Sequence, residues 1–309
     1  MTPSRAESRL TWLVLVLSLA ASVWLVVHAK RAPRAVKAAP SLLGAVPAGP
    51  ALLLTVDVAA LGEATAIELL RAGGGALLGL RQTCGFEPLL GLRQVAFALP
   101  LAEAGQTPDF ALIAQTTLDQ EPVLRCAEAV IRKRGGNPVR STLGDFRSVR
   151  DQKKPLGEIA IRSDGLFVLS GGQYFRDVVD AASGRFVADE AARERARKHA
   201  ALRRTLEPAQ LVVTLLDGPG FPVPGVHSLG ASLGVGKDLE LRGFVGCYSA
   251  AGCGEARLVF EKVKAELTQE PGLASLRDTK LQLDGAALEL TGHLPREQLG
   301  PLLAQLLAP

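Results

Sequence analysis

The chain has 309 residues, of which 48% are apolar, 21% charged and only 5% aromatic, with a net charge of +4 at pH 7. That composition supports a packed core and excludes an intrinsically disordered chain. Four positive charges, Lys30, Arg31, Arg34 and Lys37, fall in one short stretch, so the rest is nearly neutral and shows no nucleic-acid footprint.

Residues 1–9 read as a short N-terminal tail. Eighteen residues without charge, Pro or Gly follow, from Leu10 to Val27. As a helix they would run about 27 Å, close to the roughly 30 Å hydrocarbon core of a bilayer. Trp12 and Trp24 lie near the two ends, where amphipathic rings favour the membrane interface. Residues 10–28 are therefore expected to be a single-pass signal-anchor helix of the inner (cytoplasmic) membrane, with the lipid bilayer as its partner. A cleaved signal peptide is the rival reading, but its apolar core is typically about 7–15 residues. A buried core helix needs a polar face, and only Thr11, Ser18 and Ser22 are polar here. Residues 29–50, with four prolines, predict a Pro/Ala-rich stalk.

Beyond Pro50 the pattern is α+β. ALLLTVDV (51–58) reads as a buried strand, with Asp57 placed to cap a helix over 59–83. Residues 93–99 and 109–115 are two more strands, and 121–134 is an amphipathic helix ended by Gly135-Gly136. A weaker strand covers 139–150. A hairpin over 157–171 turns at Asp164-Gly165, and a short helix over 173–182 follows. Residues 189–206 predict a helix with acid first and base last, matching its dipole. Strands are then expected at 210–216, 229–235 and 239–247, and a helix at 254–267 with Leu258, Val259, Val263 and Leu267 inward. A hairpin over 276–292 turns at Asp284-Gly285, and a helix over 295–307 closes the chain.

This order repeats. The expectation is two similar α+β halves, 51–184 and 209–309, joined by a connecting helix within 185–208. Each would have a mostly antiparallel sheet with helices packed on one face.

Four cysteines and no C-x-x-C pair argue against zinc and thioredoxin chemistry and for disulfides. The expected pairs are Cys247 with Cys253 and Cys84 with Cys126. Disulfides and a signal-like N-terminus favour a periplasmic or extracellular domain, although the Lys and Arg count around the anchor points the other way. ASLGVGKD (231–238) lacks the first Gly and the final Ser or Thr of a phosphate loop, and reads as a hairpin turn. VHSLG (226–230) has Val226 where a nucleophile elbow needs Gly. Arg193, Arg197, Arg203 and Arg204 form a basic stretch that offers an anionic contact, with a solvated bridging helix as the simpler account.

No catalytic, cofactor-binding or metal-ligating residue is singled out, and no cofactor is expected. The expected function is a non-catalytic binding or scaffolding domain with an envelope protein as partner. A carrier of a lipid or small apolar ligand is the alternative, and an uncharacterised enzyme the third reading.

Overall fold

The computed structural model describes residues 42–61, 82–86, 91–101, 109–153, 157–217, 223, 225–269 and 271–298. The expected anchor with Trp12 and Trp24, most of the stalk, the bulk of the 59–83 helix and most of the closing helix lie outside the described residues. No helix among the described residues is long and apolar enough to cross a membrane.

The fold is α+β and built on one large antiparallel sheet. Its strands are β1 (Leu52–Asp57), β2 (Leu92–Leu99), β3 (Ala111–Thr116), β4 (Pro138–Leu143), β5 (Phe146–Asp151), β6 (Glu158–Arg162), β7 (Leu166–Ser170), β8 (Leu211–Leu216), β9 (Val226–Val235), β10 (Leu239–Cys247), β11 (Lys280–Asp284) and β12 (Ala287–Leu294). The helices are α1 (Gln120–Lys133), α2 (Tyr174–Ala182), α3 (Glu190–Leu206) and α4 (Ala250–Leu267). The strand order is β11-β12-β10-β9-β8-β1-β2-β3-β7-β6-β5-β4. The centre is the antiparallel pair β1 and β8, with Leu54 opposite Val213.

Both faces of the central strands are buried, which is why LLLTVD reads as a continuous apolar run. Leu52, Leu54 and Val56 join Val95, Leu211 and Val213 in a core on one face, while Leu53 joins Ala96, Ala98 and Ile113 on the other. Asp57 caps the single turn Val58–Leu61 by accepting a hydrogen bond from Ala60 N at 3.0 Å, as its position predicts.

The helices occupy both faces, which corrects the expectation of one. On β6, Ile161 packs under Leu124 and Ala127 of α1, while the preceding Ala160 joins the cluster with Phe175, Val178 and Val179 of α2. On β10, Phe244 lies against Leu202 and Leu206 of α3, and Val245 lies against Cys253 and Ala256 of α4. Successive strand residues point to opposite faces, so α1 and α4 share one face and α2 and α3 the other. A sheet buried on both sides needs cover on both sides, and apolar runs such as LVVTLL carry that message.

Other differences are local. The single weak strand expected over 139–150 is a hairpin, β4 and β5, turning at Gly144-Asp145. The turn at Asp164-Gly165 stands as expected. Gly165 has φ +85°, and a Cβ there would lie 2.0 Å from Thr116 O, so the turn requires glycine. Helix α4 starts four residues earlier than expected, because Ser249 caps it through Gly252 N at 3.1 Å. Its inward face carries Cys253, Ala256 and Phe260, while Leu258 and Val259, both expected inward, are 72% and 48% exposed. ASLGVGKD spans the end of β9 and the turn into β10, a hairpin as read.

Asp189 caps α3 with Oδ1 accepting from Ala192 N at 2.6 Å. Asp189→Ala is expected to lower stability by about 1 kcal/mol, measured as a shift in the urea midpoint with unchanged slope.

Candidate functional site

Helix α3 lies over β8, β9 and β10 and ties three parts of the chain together. His199 is 3% exposed, with Nε2 2.8 Å from Pro50 O and Nδ1 2.7 Å from Thr214 Oγ1. A carbonyl only accepts, so Nε2 carries the proton and the Thr214 hydroxyl donates to Nδ1. Burial holds the His199 pKa below its usual value, the Pro50 carbonyl opposes that shift, and Arg203 and Arg195 add to it. His199 is therefore a neutral staple between α3, β8 and the segment that leads into β1.

Two arginines reinforce the staple. Arg195 Nε donates to Gly49 O at 2.9 Å. Arg203 reaches inward to Thr55 Oγ1 on β1, and its other nitrogen pairs with Glu207 at 3.2 Å. Gly49 has φ +75°, and a Cβ there would come within 2.7 Å of Ala192, so backbone meets backbone. The chain is packed into the fold from Leu42, with Leu42 and Ala45 buried, is clamped at Gly49-Pro50 by α3, and enters the middle of the sheet.

The four arginines singled out in the sequence make different contacts. Arg193 and Arg197 pair with Glu190, at 3.6 and 2.8 Å, and Arg197 also pairs with Glu194 at 2.8 Å. Arg203 is spent on Thr55 and Glu207, and Arg204 is exposed. The cysteines form the two expected bridges, Cys84–Cys126 and Cys247–Cys253.

Sequence reasoning missed two features. Beside Cys247, Tyr248 donates to Asp217 and stands edge-on to His227, ring centroids 5.3 Å apart; the hydrogen bond to Asp217 raises the Tyr248 pKa. These residues are far apart in sequence and meet only because β8, β9 and β10 end together. The second feature is a groove of about 290 Å³ between the end of α3 and the face of β10 and β12. Phe244, Arg242, Glu289, Thr291 and His293 line it, with Leu206 at its wall. The alternation of polar and apolar residues in ALELTGHL was its only sequence signal. Ser228 of the VHSLG segment lies within β9 and is 7% exposed, so no nucleophile elbow forms there.

No family model and no curated protein matches the chain. Among solved structures it is similar to TP0453 in its crystal form I, with a TM-score of 0.51 at 10% identity, covering 87% of this chain and 98% of that one. At that identity the likeness shows the fold alone.

Proposed function

We propose that the protein is a membrane-tethered, extracytoplasmic binding platform without catalytic activity, and that the groove over β10 and β12 receives an envelope protein. One contrast carries this reading. On β3 and β7 the face under α2 is Ala111, Ile113, Leu166 and Val168, an apolar seat for a helix. On β10 and β12 the same face presents Glu240, Arg242, Glu289, Thr291 and His293, all polar, with Phe244 as the apolar floor beside α3. A polar floor around an aromatic suits a protein partner better than a lipid tail. Both disulfides support an oxidising compartment.

The two sides of the β1–β8 pair further read as equivalent units. From the centre outward the order is β1-β2-β3-β7-β6 on one side and β8-β9-β10-β12-β11 on the other, with a helix after the third strand of each in sequence. The hairpin β4–β5 is extra to the first.

A reporter fused after Pro309 that works only in the periplasm is expected to be active. Activity of a cytoplasmic reporter at that place would overturn the extracytoplasmic reading. Arg242→Glu in the full chain should abolish an in-cell cross-link from a photoreactive group at Thr291, with thermal unfolding unchanged. Retention of that cross-link would overturn the groove as the binding surface.

A further inference from the structure

We infer that the outer edge of β11 pairs with the same edge of a second copy of this chain, giving a twofold-symmetric dimer. The strand is the terminal one of the sheet. Its sequence, Lys280-Leu281-Gln282-Leu283-Asp284, is self-complementary when laid antiparallel on itself about Gln282. Lys280 then faces Asp284 of the second copy, twice, and Leu281 faces Leu283, also twice.

The backbone phase agrees with this register. Cys247 N–H donates to Ala286 O at 2.9 Å, so the even positions of β12 bond to β10 and the odd positions to β11. Asp284, Gln282 and Lys280 sit opposite Ala287, Glu289 and Thr291. Those three residues therefore bond inward, and Leu281 and Leu283 direct their N–H and C=O groups outward. In the twofold register these outward groups meet each other, forming four backbone hydrogen bonds. The Lys280–Asp284 pairs fall at the non-hydrogen-bonded positions, where side chains approach most closely.

The side chains agree as well. Leu283 is opposite the buried Leu288, on the α4 face, yet is 40% exposed. Leu281 is partly buried against the same cluster. Dimerisation would gather two copies of each leucine into one apolar cluster on that face. Lys280, Gln282 and Asp284 are exposed on the other face, and Lys280 and Asp284 make no ion pair among the described residues. The opposite edge, β4, has no such symmetry. Pro138 donates no N–H, and Arg140 is held by Glu121 and Glu128.

The test uses the full-length chain, whose four cysteines are all in disulfides. Gln282→Cys places two thiols at a non-hydrogen-bonded pair, with Cα atoms about 4.5 Å apart, within disulfide reach. Mild oxidation should give a covalent dimer on a non-reducing gel. Lys280→Cys and Asp284→Cys should each fail alone, because each lies about 13 Å from its own copy. Mixed together, those two variants should cross-link. Adding Lys280→Glu to Gln282→Cys should cut the yield about tenfold, and adding Asp284→Lys as well should restore it to within about twofold. Equal cross-linking at all three single positions, no cross-link at position 282, or no rescue by the double reversal would each overturn the proposal.

Discussion

Replacing Cys84 and Cys126 together by serine is expected to lower the unfolding free energy by about 4 kcal/mol, roughly twice the effect of the same change at Cys247 and Cys253. The two bridges close loops of very different length, with sequence separations of 42 and 6. A cross-link stabilises chiefly by removing conformations from the unfolded chain, and a longer loop removes more of them. The long bridge also joins the segment before β2 to α1, beside a hydrogen bond that Lys133 Nζ donates to Thr83 Oγ1 at 3.0 Å. Cys126 is 8% exposed on the inward face of α1, beside Leu124 and Ala127. Urea unfolding of protein purified under oxidising conditions provides the measurement, with the midpoint converted through an unchanged slope. Equal losses for the two pairs would show that loop closure in the unfolded chain does not govern their contributions.

Replacing His199 by alanine is expected to lower stability by about 3 kcal/mol at neutral pH. The change leaves Pro50 O without its partner and removes one of two from Thr214 Oγ1, at a site where His199 itself is only 3% exposed. The wild-type protein should also lose stability in acid. The folded-state pKa of His199 lies below its ordinary value, so the folded state binds fewer protons than the unfolded state. Its contribution is complete above about pH 6.5 and falls away as pH drops towards the lowered value, by at most about 1.4 kcal/mol per pH unit. Protonation need not break the hydrogen bonds. The Thr214 hydroxyl would turn its proton to Leu53 O, 3.3 Å away, and accept from Nδ1–H. The cost is a buried charge beside Arg195 and Arg203 on α3, only partly offset by Glu207 on the far side of Arg203. His199→Gln should flatten the pH dependence between 5 and 7 in denaturation curves. An unchanged acid loss in that variant would assign the effect to another group.

Much of this architecture was legible because it is written in local periodicity. Strand alternation, the Asp-Gly turns, the capping residue Asp57 and the polarity of α3 act over a few residues, and each is found where the sequence places it. The cysteine pairing also followed, since one pair was adjacent and the other was what remained. The hairpin at 138–151 was missed because Gly144-Asp145 interrupts a run whose exposed strand, β4, carries little apolar signal.

What the sequence by itself determined is therefore most of the described elements, their order and the Asp-Gly turns. Only the tertiary structure decided which faces they share. Alternation specifies that a strand has two sides, not what lies over either one, so α1 and α2 could be placed on opposite faces only by the contacts of Ile161 and Ala160. Helix periodicity likewise allowed Leu258 to point inward until Cys253 was tied to Cys247 and fixed the rotation of α4. His199 looked like one more polar residue on a basic helix. Its role depends on Pro50 and Thr214, 149 and 15 residues away, which the β1–β8 ladder alone brings to it. Contacts of that range are set by strand pairing across the whole sheet, and no local pattern encodes them.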